Sequence, residues 1–276
     1  SNYNFPQKNP SRTFRVAVVQ FARERLDPEK NLRRMPRLLK KVRGADLVCL
    51  PEAWVVAMAM DEKREKALLE EFCGIAAAGG FALITGGLFI VHGDRIADIC
   101  HLIGADGKLM GTVKKVFPSF PIGERKYCAG GDKLPVFEVG GVKIGILICV
   151  DLFYPEFARS LARRGAEVIF NPSNIIEQRI GLWHSLAAAR AAENTVYVVF
   201  SNNTKTEYRD ERPVRGGSAV FAPWGEMLAG AGRAEKILYY DIDLGQIAET
   251  RRRWRYLEDI GEIGITKSGR VTRKKK

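Results

Sequence analysis

Short apolar segments recur along this chain at strand length. They are "FRVAVVQF" from Phe14, "DLVCLP" from Asp46, "FALITG" from Phe81, "KIGILIC" from Lys143, "EVIFNPS" from Glu167, "TVYVVFSN" from Thr195 and "KILYYDID" from Lys236. Several are apolar throughout, so both of their faces must be covered. Between them lie amphipathic patterns at 28–43, 61–78, 154–164 and 182–193, with Leu, Ala, Val or Phe at three-to-four spacing and charges on the other side. Strands that alternate with helices in this way build an α/β layered domain. The 276 residues, 46% apolar, suffice for one large core. No internal repeat or low-complexity linker breaks the pattern. One domain is therefore expected over residues 1–250, followed by a basic C-terminal extension over 251–276.

The formal charge is +12, and residues 250–276 carry +7 of it, which leaves the body mildly basic at +5. A terminal run such as "RKKK" reads as a solvated tail, so nucleic acid is not an expected partner. The uncharged stretch "CGIAAAGGFALITGGLFIV", residues 73–91, is long enough to cross a bilayer. Its two Gly-Gly pairs instead predict turns separating a helix end and two strands, so no membrane partner is expected either. "SNYNFPQKNPSRTF" at the start lacks an apolar core segment, and no signal peptide is read there. Five cysteines, odd in number and widely spaced, with only three histidines, argue against a disulfide framework or a zinc site. A reducing, cytoplasmic setting fits them. No Gly-rich spacing of the nucleotide-binding type occurs.

Three apolar runs end in polar or reactive residues: "LVCLPE" at Glu52, "GILICVD" at Cys149 and Asp151, and "VIFNPSN" at Asn171. In open α/β sheets, ligands bind beyond the carboxyl ends of the strands. A cysteine at a turn from strand into helix is exposed to reactants, near helix-end amides that lower a thiol's pKa and stabilise an oxyanion. Taken alone, a cysteine such as Cys149 is more often a buried structural thiol. No histidine stands in a recognisable Cys-His signature, so a base has to come from elsewhere, and a desolvated Glu52 is placed for that. In "GADGKLMGTVKKVFPSFPIGER", Lys114 and Lys115 leave a strand on opposite faces, so only one of them can face inward.

Together these segments resemble the nitrilase superfamily of carbon-nitrogen hydrolases, from about Phe14 to about Trp254. "LVCLPEAW" is similar to the family motif ending in its catalytic Glu, which falls on Glu52. "DGKLMGTVKKVF" aligns with the family's lysine motif and assigns the catalytic lysine to Lys115. "ICVDLFYPEFARSLARRGAEVIFNPS" matches the nucleophile motif with Cys149, and the family's assisting Glu falls on Glu124. "ARAAENTVYVVFSN" and "GGSAVFAPWGEMLA" agree as well. The resemblance implies an αββα sandwich, homo-oligomers built on a dimer, no metal or organic cofactor, and a Glu-Lys-Cys triad in which Val150's amide helps hold the oxyanion. The expected partner is a small amide or N-carbamoyl substrate, with ammonia released. Val113 and Phe117 replace the family's usual Tyr and His, which bears on substrate polarity. Val150-Asp151 stands where true nitrilases usually show Trp-Glu, which favours an amide over a nitrile. A nitrile hydrolase with the same triad, or a catalytically silent binding protein, are the competing readings. Arg190 and Glu193 are expected to form a structural pair. Arg209, Arg212 and Arg215 read as solvated loop arginines within reach of a substrate carboxylate.

Overall fold

Alternation within the first strand, β1 (Thr13–Ala22), divides the molecule into layers. Val16 and Val18 enter one core, while Ala17, Val19 and Phe21 enter another, because successive side chains leave a strand on opposite faces. The structure, a computed structural model, describes residues 12–55, 59–265, 268 and 270–273. After β1 come α1 (Pro28–Leu39), β2 (Leu47–Cys49), α2 (Glu62–Gly79), β3 (Ala82–Ile84), β4 (Leu88–His92), β5 (Arg95–Ile103) and β6 (Leu109–Lys114). The next stretch holds β7 (Val136–Val139), β8 (Val142–Ile146), α3 (Pro155–Arg163), β9 (Val168–Pro172), α4 (Ile180–Asn194) and β10 (Tyr197–Ser201). The remainder adds β11 (Asn203–Thr204), β12 (Thr206–Glu207), β13 (Pro213–Val214), β14 (Ala219–Phe221), β15 (Met227–Gly230), β16 (Lys236–Asp243), α5 (Gly245–Arg253), α6 (Tyr256–Glu262), β17 (Ile263–Ile265) and β18 (Val271–Arg273).

The first sheet runs β11-β1-β2-β3-β5-β4, with β16 antiparallel to β1 and β6 antiparallel to β5. The second runs β15-β14-β10-β9-β8-β7. In each sheet the central strands are parallel and joined by crossover helices: α1 and α2 link β1, β2 and β3, and α3 and α4 link β8, β9 and β10. Val18, Cys49 and Ile84 from the first sheet share a core with Ile144, Phe170 and Phe200 from the second, and this core continues to Leu161, Ala187 and Ala191 on α3 and α4. The opposite face of the first sheet packs Met35 and Leu39 of α1 and Phe72 of α2. The result is the four-layer αββα sandwich.

Local chemistry sets the helix ends. Asp27 and Asp61 accept from the amides of Lys30 and Arg64, both at 2.8 Å, and cap α1 and α2. Helix α1 stops at Leu39 rather than at residue 43, because Lys41 and Val42 donate three residues back and tighten the end. The apolar stretch 73–91 resolves into the end of α2, β3 and the start of β4, with both Gly-Gly pairs outside the strands. Among the described residues no helix is long and apolar enough to cross a membrane. Residue 250 falls inside α5, and the basic segment after it carries α6 and the β17/β18 hairpin as far as it is described. Residues 1–11, where no signal segment is expected, and Lys274 to Lys276 lie outside the described residues.

Candidate active site

The carboxyl ends of β2, β6 and β8 meet at one place, and two of the turns that follow them are strained. Ala53 and Cys149 have φ of 52° and 48°, the left-handed region that L side chains seldom occupy. Neighbours hold both turns. Ala53 donates to the Gly87 carbonyl at 2.7 Å and accepts from Arg23 at 2.9 Å. Glu52 between β2 and this turn donates its amide to the Ser173 carbonyl at 3.1 Å and accepts from Asn203 Nδ2 at 2.7 Å. Asn171 does the same for the cysteine turn, its Nδ2 donating to the carbonyls of Leu147 and Cys149 at 2.6 and 3.1 Å. Arg190 on α4 reaches the end of that turn, donating to Leu152 and Phe153 at 3.0 and 2.9 Å. Its expected partner Glu193 takes its remaining side at 3.2 Å.

Of the two adjacent lysines, Lys115 is the one that faces inward, 1% exposed. Its amide donates to the Asp98 carbonyl at 2.9 Å, and its Nζ donates to Glu52 Oε1 at 2.7 Å and to Glu124 Oε2 at 2.9 Å. Asp98 Oδ2 lies 3.3 Å from the same nitrogen. Glu124 opens a single 3-10 turn and is itself fixed by the Ser119 amide at 2.6 Å. Burial works against the ammonium, but the surrounding carboxylates outweigh it and hold its pKa well above the usual lysine range.

Cys149 is buried, and Glu52 stands within hydrogen-bonding reach of its thiol, as does the Asn174 amide. The nearby turn amides were expected to lower this thiol's pKa. Burial and the adjacent Glu52 instead push it well above the usual value, and Lys115 and the Asn174 amide only soften the rise. Burial and Glu52 thus both favour the thiol over the thiolate at Cys149. Val150, whose amide was expected at the oxyanion, follows Cys149 inside the 3-10 turn Cys149–Phe153.

Asp151 in the same turn ties the two halves of the site together, accepting from the amides of Val116 and Phe117 at 2.9 and 3.0 Å and so anchoring the chain just past Lys115. Burial pushes its carboxyl up to about 6, although those two amides pull the other way. The folded protein thus holds this proton more tightly than the unfolded chain does. Asp151 is most favourable to stability below about pH 4 and loses that contribution as pH rises through about 6, on the order of 3 kcal/mol in all. Urea titrations of Asp151→Asn against the parent from pH 4 to 7 should show the stability difference moving toward the variant by that amount. A difference that stays constant over this range contradicts the assignment.

Sequence reasoning missed several residues here. Asp98 sits inside β5 with no local mark. Tyr208, in a loop that reads as charged and solvated, is half-buried and acts electrostatically with Cys149 and Glu52, and its hydroxyl donates to the Asn174 carbonyl. Of the loop arginines, Arg212 pairs with Asp210 and Arg215 with Glu177, while Arg209 acts electrostatically on Tyr127. Val113 packs into the inter-sheet core opposite Cys100. Phe117 packs with Tyr154 and Phe157, ring centroids at 4.5 and 5.7 Å, with Arg125 over its face.

A family model described as carbon-nitrogen hydrolase matches residues 15–252. The chain belongs to the carbon-nitrogen hydrolase family. Among its relatives, an omega-amidase from Xenopus tropicalis is 30% identical over 257 residues, covering 86% of this hydrolase and 91% of the relative. A 2-oxoglutaramate amidase from Bacillus subtilis is 27% identical over 255 residues, 89% and 96% of the two chains. Among solved structures, a cysteine-to-alanine variant of the amidase from Nesterenkonia sp. AN1 in complex with butyramide superposes with a TM-score of 0.75 at 25% identity. That match covers 87% of the hydrolase and 97% of the neighbour.

Proposed function

We propose that this hydrolase cleaves the carbon-nitrogen bond of a small primary amide by way of a thioester on Cys149, releasing ammonia. Monoamides of short dicarboxylic acids are the first compounds to try, since two relatives are named for ω-amide substrates. Glu52 accepts the thiol proton as sulfur attacks the carbonyl carbon. The developing oxyanion is held by Lys115 Nζ and by the Val150 amide. Glu52 returns the proton to the departing nitrogen, the C–N bond breaks, and ammonia leaves. Glu52 then takes a proton from water, whose oxygen attacks the thioester and frees the acid and the thiol. Glu124 keeps Lys115 charged and aimed. The scheme calls on no metal or organic cofactor.

One observation carries this reading: a buried ammonium is fixed at 2.7 and 2.9 Å by two carboxylates, one of which also reaches the thiol. Thiol chemistry of this kind needs a reducing compartment, which we take to be the cytoplasm, and the working form is a dimer-based homo-oligomer. The test is ammonia release from a panel of primary amides, N-carbamoyl amino acids and amines, and nitriles. Turnover of amides is the expected result. Turnover of nitriles alone makes the chain a nitrilase. No turnover of any class, with Cys149 inert to iodoacetamide, overturns the enzymatic reading.

A further inference from the structure

Three carboxylates crowd one ammonium at this site, and all three are buried: Glu52, Glu124 and Asp98. Glu52 and Glu124 receive hydrogen bonds from Lys115, whereas Asp98 approaches Nζ at 3.3 Å without hydrogen-bond geometry. Both Asp98 side-chain oxygens are shielded from solvent and accept from no donor, yet the carboxyl lies within hydrogen-bonding reach of Glu52. The two side chains also press on the same spot. A Cβ at Gly87 would stand 2.5 Å from Asp98 Oδ1 and 2.9 Å from Glu52 Cγ. Lys115 gives Glu52 a hydrogen bond and Asp98 none, so an ionised Asp98 would stand dry against an ionised Glu52 with no donor of its own.

We infer that Asp98 is a positioning residue: it carries a proton in the resting enzyme and donates it to Glu52, orienting that carboxylate toward Cys149. This inference rests on the reading of Glu52 as the base. The proton has a second consequence. An ammonium has three hydrogens, and Glu52 and Glu124 take two. An ionised Asp98 would compete for the third, whereas a protonated one leaves it for the oxyanion of the substrate. The other titratable groups that act on this place are Lys115 beyond the end of β6, Glu124 in the loop after it, and the thiols Cys100 on β5 and Cys128 opposite Ile96, both pushed up to about 12 chiefly by burial. None of these supplies Asp98 with a hydrogen-bond donor.

The test compares Asp98→Asn with Asp98→Ala. Asparagine keeps a donor toward Glu52 and adds no charge; alanine keeps neither. Asp98→Ala should lower kcat roughly 100-fold with KM much less affected, and Asp98→Asn should recover at least about tenfold of that loss. The rate at which iodoacetamide alkylates Cys149 should follow the same order across the pH range. The infrared spectrum of the unmodified protein at neutral pH should contain the carbonyl stretch of an undissociated carboxylic acid, absent from Asp98→Asn. No such band, or an asparagine variant as impaired as the alanine one, overturns the inference. The spectrum and the alkylation rate need no substrate, so failure of the amidase reading would show in the ammonia assay alone.

Discussion

Replacing Cys149 by alanine removes ammonia release from every amide the protein turns over, a fall of at least about 10⁴-fold in kcat, as expected when a nucleophile is deleted from a set of groups that act as a unit. The fold should hardly notice. One buried sulfur atom is lost with its contacts to Glu52 and the Asn174 amide, while Glu52 keeps its hydrogen bond from Lys115, so the melting temperature should stay within about 4 °C of the parent. Serine is the sharper control. Burial and Glu52 already push the pKa of the Cys149 thiol up, and a hydroxyl in its place gives up its proton far less readily. Cys149→Ser should therefore stay inactive although its side chain is almost the same size. A serine variant retaining more than about one-hundredth of parental turnover would show that attack by this side chain is not what limits the reaction.

Replacing Lys115 by methionine should harm both activity and stability, and by separate routes. The loss of the hydrogen-bond donor to the oxyanion lowers kcat by about 10²- to 10³-fold. The loss of the cation leaves the carboxylates of Glu52 and Glu124 buried without a counter-charge, a defect worth about 3–5 kcal/mol of unfolding free energy. The pH dependence identifies the second route. Carboxylates stranded in this way are buried most readily when protonated, so the methionine variant should gain stability as pH falls from about 7.5 toward 5. Urea titrations at the two ends of that range measure it. A variant as stable as the parent at both would mean that the cluster opens to water once the lysine is gone.

Much of this architecture can be read from the chain because local pattern and final environment agree. The seven apolar runs all became strands, and the four amphipathic patterns became α1 to α4. The two-residue period says that only one of Lys114 and Lys115 faces the core, and the resemblance to the family's lysine motif picks Lys115, the one found buried. Asp98 could not be found this way. "RIADICHLI" reads as an ordinary strand, and the aspartate matters only because β6 runs antiparallel to β5 and delivers Lys115 beside it. Tyr208 was hidden for a related reason. Its neighbours are charged, and what brings it to the site is the hydrogen bond from its hydroxyl to the Asn174 carbonyl, a tertiary contact with no local mark. The acidity expected for Cys149 failed because nearness to turn amides is visible in sequence and desolvation is not.

Glu52 and Lys115, the proposed base and cation, stand at the ends of first-sheet strands, and Cys149, the proposed nucleophile, at the end of a second-sheet strand. During synthesis from the N-terminus, Glu52, Asp98 and Lys115 emerge before Cys149. Each half is chemically idle until the sheets dock. A nascent or partly unfolded chain therefore carries an ordinary solvated thiol, with no base poised to activate it and no cation to receive an oxyanion. On the proposed mechanism, reactivity therefore waits for the two sheets to dock, which would confine acyl-transfer chemistry to folded molecules.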